Sequence, residues 1–101
     1  MNTEPKKFPI ELQKIITRRL NESVKVTFYD GATISNSLFN FTIVEPFKIL
    51  FQNRRKTKFV VVYIIETIIN DKIKYEYFID SIAEKNKKSM TTIANIVNES
   101  L

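Results

Sequence analysis

Residues 24–31 read Val-Lys-Val-Thr-Phe-Tyr-Asp-Gly, and they are the clearest guide to the fold. The apolar side chains alternate with Lys, Thr and Tyr, which is the pattern of a strand with one face in a core and one in water. Asp30-Gly31 predicts a hairpin turn directly after this strand. Arg18 and Arg19 stand just ahead of it, at the end of a short helical pattern. A basic helix that leads into a strand and a turn makes nucleic-acid binding the first hypothesis.

A helix is predicted before this strand. Its apolar residues follow a loosely helical spacing: Ile10, Ile15, Ile16 and Leu20. Pro9 suits a first helical turn, Glu11 suits the positive end of the helix dipole, and the pattern ends around Leu20 to Glu22. Residues 1–8 are polar and carry no periodic pattern. We therefore expect a flexible N-terminal arm at 1–8 and a single domain at 9–101.

Four further strands are predicted after the Asp30-Gly31 turn. Residues 32–43 read as one long strand with a bend near Asn36, and Glu45-Pro46 ends it. The next strands are expected at 47–53, 59–65 and 73–82, with Asn70-Asp71-Lys72 turning the chain before the last of them.

A second helix is expected at the C-terminal end of the chain. Ser89 is a good N-cap, and one apolar stripe follows it: Met90, Ile93, Ala94, Val97 and Leu101. The element order predicts a mainly β (α+β) fold, a small five-stranded barrel with an N-terminal helix and an added C-terminal helix.

Composition excludes many kinds of site. The chain has 101 residues, no Cys and no His, which removes disulfides, thiol nucleophiles, imidazole acid–base chemistry and most zinc sites. With a single glycine it also lacks any glycine-rich phosphate loop. Its longest apolar run, 59–65, is far shorter than the ~20 residues that span a bilayer. We therefore expect that the protein is not an enzyme, that it binds no cofactor and no metal, and that it is cytoplasmic and does not contact membranes.

Basic residues outnumber acidic ones, 16 to 11. They fall into four clusters: Lys6-Lys7, Arg18-Arg19, Arg54-Arg55-Lys56-Lys58 and Lys85-Lys87-Lys88. The third cluster is the densest. Such clusters suit anionic partners, and Lys-rich loops between strands also serve simply to keep sheet edges from pairing.

From about Thr17 to Asn53 the chain resembles the Sm-like fold of the bacterial RNA chaperone Hfq family. Arg18 and Arg19 fall on the arginine pair of that family's ring rim. The strand pattern and turn glycine match without a gap at Val24, Val26, Phe28 and Gly31, and the later strands match at Ile34, Leu38, Phe41, Phe47 and Ile49-Leu50-Phe51-Gln52-Asn53. The resemblance implies a small RNA-binding barrel of bacterial or phage origin.

The chain departs from that family at its RNA-reading faces. Asn36 replaces a mid-strand glycine, Thr42 an aspartate, and Thr27 the aromatic residue that stacks adenines, while the Tyr-Lys-His motif of the uridine site has no counterpart. The resemblance therefore carries over a fold and a rim, and neither RNA-reading face. The chain is also similar, more weakly, to the YolD-like proteins.

The first hypothesis is a module that binds RNA or another single-stranded nucleic acid. The phosphates would be neutralised by Arg18, Arg19, Arg54, Arg55, Lys56 and Lys58. Exposed aromatic residues such as Tyr29 or Tyr75 would offer stacking faces.

The alternative is a protein-interaction module of mobile-element origin that binds or inhibits a host protein. Residues 59–65 are apolar on both faces, so the strand needs cover from two sides. A homo-oligomer formed through Phe59, Val61, Tyr63 and Ile65 would use the same surface, and the C-terminal helix is a further candidate for the interface or for a cap on that strand. An enzyme is a third reading, in which Glu66, Asp71, Glu76 and Asp80 meet on a hairpin; alternating charges on a solvated strand face explain these carboxylates more simply.

Overall fold

The computed structural model describes residues 1–101 and is mainly β, with 48% of the chain in strands. The elements in chain order are β1 (Asn2–Lys6), α1 (Ile10–Arg18), β2 (Lys25–Tyr29), β3 (Gly31–Asn36), β4 (Phe41–Glu45), β5 (Phe47–Gln52), β6 (Phe59–Ile69), β7 (Lys72–Ile79), a 3-10 turn (Glu84–Asn86), β8 (Lys87–Lys88) and α2 (Met90–Ser100).

The strands form two antiparallel sheets. The main sheet has five strands in the order β2-β5-β6-β7-β8, and the small sheet has three in the order β1-β3-β4. The mainly β fold with two helices is as predicted, but the five-stranded barrel is not confirmed, because β2 and β8 remain open edges of the main sheet. β3 and β4 leave that sheet and pair with β1, so they cannot help to close it. The molecule is accordingly elongated, with extents of 47 × 31 × 27 Å.

The predicted hairpin turn at Asp30-Gly31 is wrong. β2 pairs with β5, where Tyr29 lies opposite Lys48, and β3 pairs with β4, where Ala32 lies opposite Glu45. The chain therefore passes from the main sheet to the small sheet at Asp30. Across from this passage stands Pro46, which has no N–H to donate to a ladder. The proline explains why the pairing between residues 25–36 and residues 41–52 is interrupted at this point and resumes in a different sheet.

The predicted single bent strand over 32–43 is two strands joined by a turn. The Asn36 carboxamide oxygen accepts hydrogen bonds from the backbone N–H groups of Leu38 (3.0 Å) and Phe39 (3.2 Å). This side-chain turn competes with the ladder and ends β3. Asn40 then takes a left-handed conformation, φ 51°, and returns the chain as β4.

The N-terminal segment differs from the flexible arm expected for 1–8. Asn2–Lys6 pairs along β3, with Thr3 opposite Ile34. Phe8 is buried, and its ring lies 4.8 Å from that of Phe28. Its N–H donates to the Asp30 carboxylate at 2.8 Å. A polar strand without periodicity can still complete an open sheet edge, because the backbone supplies the hydrogen bonds.

The core lies between the two helices and one face of the main sheet. α1 buries Leu12 and Ile16, and α2 buries the predicted stripe Met90, Ile93, Ala94 and Val97. The strands supply Phe47, Ile49, Phe51, Val62 and Ile64. The apolar stripe of the C-terminal helix is therefore buried in the core and is not exposed to a partner.

Two local predictions are confirmed. The Ser89 hydroxyl accepts a hydrogen bond from the Thr92 N–H at 3.2 Å and caps α2. Ile69 pairs with Lys72 across a two-residue turn in which Asn70 and Asp71 both have positive φ, 50° and 62°, as a type I′ hairpin requires. Neither helix has the length and apolar character needed to cross a membrane.

Candidate nucleic-acid interface

The densest basic cluster occupies the loop between β5 and β6. Asn53 organises this loop: its carboxamide oxygen accepts from the N–H groups of Thr57 (2.9 Å) and Lys58 (3.1 Å). Its amide nitrogen donates to the Thr57 hydroxyl at 2.9 Å. The backbone is thus held by one neutral side chain, and the basic side chains of the loop are all exposed: Arg54, Arg55, Lys56 and Lys58.

The end of α1 lies at the same end of the main sheet as this loop. Lys25, the first residue of β2, pairs with Gln52, the last residue before the loop. Arg18 and Arg19 are joined to Lys25 by a short connection that turns through a hydrogen bond between the Val24 N–H and the Asn21 carbonyl, 3.0 Å.

Asn98 of α2 fixes that connection in place. Its carboxamide oxygen accepts from the Asn21 N–H at 2.9 Å, and its amide nitrogen donates to the Arg19 carbonyl at 2.8 Å. Both basic clusters therefore adjoin the same end of the β2–β5 strand pair, one ahead of β2 and the other after β5. We call this surface the basic end; its residues are Arg18, Arg19, Lys25, Arg54, Arg55, Lys56 and Lys58.

None of the basic-end side chains forms an ion pair. The four ion pairs within 4.0 Å are Lys6–Glu66, Lys14–Glu11, Lys87–Glu76 and Lys87–Glu84. Within the basic end, Arg19 makes one hydrogen bond, from its guanidinium to the Thr91 hydroxyl at 2.7 Å. Glu22 lies in the connection between α1 and β2 and offsets part of the charge. The surface is left with an excess of exposed cationic groups.

Tyr29 does not belong to the basic end. It ends β2, four residues after Lys25, and at about 3.3 Å per residue this places it roughly 13 Å away. The ammonium of Lys48 lies 4.4 Å from the centre of its ring. A cation therefore already covers one face of this ring, and the structure does not bring Tyr29 together with the arginines.

Two other tyrosines lie close to Arg19. Tyr75 and Tyr77 project from the same face of β7, since they are two residues apart on one strand. They form the wall of an open cleft of about 370 Å³ between β7 and α1. The cleft is lined by Pro9, Glu11, Leu12, Ile15, Arg19, Tyr75, Tyr77 and Met90. We call it the tyrosine cleft.

The tyrosine cleft continues past Met90 towards β8. A second hollow of about 420 Å³ shares Tyr75, Tyr77 and Met90 with it. Its other lining residues are Lys74, Glu76, Lys87, Lys88 and Ser89. The strand pattern places Tyr77 beside Tyr75, but only the packing of α1 against β7 forms the cleft, so Tyr77 and Lys88 are candidates that the sequence pattern misses.

Both tyrosine hydroxyls are neutral at physiological pH. Burial raises the pKa of Tyr75, and the nearby Glu66 carboxylate raises it further. Burial also raises the pKa of Tyr77, which the positive charge of Arg19 partly opposes. These rings therefore present uncharged faces and hydroxyl groups.

The predicted oligomer surface lies on the other face of the main sheet. Phe59, Val61, Tyr63 and Ile65 alternate with the core residues Val62 and Ile64 along β6. Phe59 is 67% exposed and the other three are half-buried. The pattern of two apolar faces is confirmed, and α1 and α2 cover only one of them.

The carboxylates near the β6–β7 hairpin do not gather into one site. Glu66 lies opposite Tyr75 and Glu76 opposite Ile65, so the two point to opposite faces of the ribbon. Glu66 pairs with Lys6, and Glu76 pairs with Lys87 at 2.9 Å. Asp71 lies in the turn at the far tip.

The chain was compared with protein-family models, with curated proteins and with solved structures, and nothing in any of the three matches it.

Proposed function

We propose that the protein binds single-stranded nucleic acid, RNA foremost, through the basic end. The observation that carries the proposal is a set of seven exposed basic residues beside one end of the β2–β5 strand pair, none of them ion-paired. Cations held without a carboxylate partner retain their full capacity to neutralise phosphates.

Binding in this proposal is electrostatic and tolerant of sequence. Each bound phosphate releases condensed counterions, so affinity falls steeply with salt. Arginines suit the role because their planar forks donate two hydrogen bonds to a phosphate. The Asn53-centred loop reduces the entropy lost on binding, because its backbone is already ordered.

Kinship with the Sm-like proteins belongs to the same proposal. It rests on the likeness between about Thr17 and Asn53 to the Hfq family, including Arg18 and Arg19 at the rim position. The proposed kinship covers the succession of a basic helix and the strands that follow it. It does not cover closure into a barrel, since the main sheet is open. A cytoplasmic location and a bacterial or phage origin go with it.

The test is fluorescence anisotropy of labelled single-stranded RNA, with a DNA duplex for comparison. The variant Arg54→Gln/Arg55→Gln/Lys58→Gln removes three charges from the basic end. The matched control Lys7→Gln/Lys72→Gln/Lys85→Gln removes three exposed charges that also lack ion pairs, elsewhere on the surface. We expect the first variant to weaken RNA binding at least tenfold and the control to weaken it much less. Equal losses in both would mean that only net charge matters and that the basic end is no site.

A second candidate function is a protein-interaction module, whose partner is a second copy of the chain or a different protein. One observation favours it: β4 is an open sheet edge whose five residues are all exposed. The strand reads Phe-Thr-Ile-Val-Glu, with none of the Lys or Pro residues that usually protect an edge. Leu38 and Phe39 at the adjoining turn are 83% and 72% exposed. The face with Phe59, Val61, Tyr63 and Ile65 is the other apolar surface available to a partner.

Molar mass by light scattering at several concentrations tests the self-associating form of this candidate. If the protein is a multimer and Ile43→Lys makes it monomeric, the contact lies at β4. If Tyr63→Lys makes it monomeric, the contact lies on the β6 face. A monomer at all concentrations would leave a different protein as the partner.

A further inference from the structure

We propose that the tyrosine cleft holds one unstacked base of the strand whose phosphates are bound at the basic end. This inference rests on the proposed function and adds a second, chemically different contact to it. The occupant is a nucleotide, with its base against Tyr75 and Tyr77 and its flanking phosphates near the cations at the cleft mouths.

The walls of the cleft suit the flat faces of a base. Leu12 and Met90 are buried core residues, and Ile15 is 44% exposed at the rim of the cleft. Together with the two tyrosine rings they make an apolar hollow of about 370 Å³, within the usual size range of small-molecule sites. Aromatic side chains bind bases of any identity, because every base has a π-face.

The charges at the mouths suit phosphates. Arg19 lies at the α1 side, and Lys74 and Lys88, neither of them in an ion pair, line the continuation towards β8. The acidic lining residues are Glu11 and Glu76, and each is already paired, with Lys14 at 3.7 Å and with Lys87 at 2.9 Å. The remaining charge is positive on both sides of an apolar hollow. That distribution complements a nucleotide within a chain and would repel the basic groups of a peptide.

Arg19 joins the cleft to the basic end. Its backbone carbonyl is held by Asn98 at 2.8 Å, and its guanidinium reaches the Thr91 hydroxyl at 2.7 Å, next to Met90 of the cleft. The side chain thus runs along α2 from one surface to the other. Tyr77 lies opposite Ile64, and Ile64 is five residues along β6 from Phe59 at the loop, roughly 17 Å at 3.3 Å per residue. The inference therefore requires a strand of several nucleotides to connect the loop cations with the cleft.

The experiment compares two probes with the same number of phosphates: an eight-nucleotide single-stranded RNA and an abasic oligomer of the same length. We expect wild type to bind the RNA about tenfold more tightly than the abasic oligomer, the size of effect that one stacked base supplies. Tyr75→Leu should remove most of this preference and Tyr75→Phe should retain it. Arg54→Gln/Arg55→Gln/Lys58→Gln should weaken both probes alike and leave their ratio unchanged.

A second pair of variants changes residues of α1 and leaves the strands of the main sheet unaltered. Ile15→Asp places a carboxylate at the cleft wall, and Ile10→Asp places one at an exposed position of the same helix that does not line the cleft. Only Ile15→Asp should reduce the RNA preference. Equal binding of RNA and abasic oligomer by wild type, or a preference unaffected by both Tyr75→Leu and Ile15→Asp, would overturn the inference while leaving the basic end intact. Absence of binding to either probe at low salt would overturn the proposed function and this inference together.

Discussion

The carbonyl oxygen of Glu45 lies 2.7 Å from the position that a Cβ atom would occupy on Gly31. Gly31 does not have positive φ, so the glycine is required for close approach of two backbones and not for a left-handed turn. The contact stands where the chain leaves the main sheet for the small one. The close pairing of β3 with β4 at this point therefore requires glycine at position 31.

Gly31→Ala should destabilise the protein by about 2 kcal/mol, because the added methyl group meets backbone that cannot rotate away. Urea unfolding followed by circular dichroism measures the change in the free energy of unfolding. Ser37→Ala, in the exposed turn after β3, is the control and should change it by less than about 0.5 kcal/mol. Equal stability of Gly31→Ala and wild type would show that the two strands do not approach as described.

Asn98→Ala should lower the free energy of unfolding by about 1–2 kcal/mol, because it removes two hydrogen bonds that join α2 to the end of α1. Asn95→Ala is the matched control: Asn95 is an exposed asparagine of the same helix with no side-chain hydrogen bond. Thermal unfolding of both variants compares them directly. Identical transition temperatures for the two would mean that Asn98 does not position Arg19.

Asn53→Ala should weaken RNA binding severalfold although it changes no charge. The substitution releases the β5–β6 loop, whose ordering must then be supplied on binding. Anisotropy titration against wild type and Asn95→Ala measures the loss. Unchanged affinity would indicate that the loop cations act without a preset geometry.

The ion pair between Glu76 and Lys87 should make stability depend on pH at both extremes. The hydrogen bond and charge of Lys87 lower the pKa of Glu76 below its ordinary value of 4.5, so its contribution exists above that pH and is lost as pH falls through the lowered pKa. Glu76 in turn raises the pKa of Lys87 above 10.5, so this contribution exists below that pH and is lost as pH rises through the raised pKa.

Glu76→Gln should therefore be less stable than wild type at pH 7, and the difference should shrink in strong acid and strong base. Urea unfolding across pH measures this difference, at low salt because water reaches both groups and dissolved ions would screen the pair. Glu99→Gln, whose carboxylate has no ion pair, is the control. A difference that stays constant down to pH 2 would assign the effect to packing and not to charge.

The sequence predicts the elements whose signals are local. Ser89 and the stripe behind it predict α2, and Asn70-Asp71 predicts its hairpin, since cap and turn chemistry act over a few residues. Asp30-Gly31 carries the same turn signal yet joins two sheets, because Pro46, far along the chain, breaks the pairing opposite it. The pairing of Asn2–Lys6 with β3 likewise depends on an edge that no local pattern reveals.

The candidate site likewise contains residues that the sequence predicts and residues that only the tertiary structure reveals. The basic residues of the β5–β6 loop and of α1 are visible as clusters in the sequence, but their placement beside one end of the β2–β5 pair depends on the pairing of Lys25 with Gln52 and on Asn98. Tyr29, chosen as an exposed aromatic residue, lies under Lys48 at another place. Tyr77 becomes a candidate only when α1 packs over β7.

The most direct test of the central claim is the salt dependence of binding to single-stranded RNA, plotted as the logarithm of the association constant against that of salt concentration. For single strands the slope is about −0.7 per neutralised phosphate. We expect a steep negative slope for wild type and a slope that is shallower by about two for Arg54→Gln/Arg55→Gln/Lys58→Gln, which removes three of the cations. A slope that these substitutions leave unchanged, or an RNA that does not bind even at low salt, would contradict the assignment of the basic end as a nucleic-acid interface.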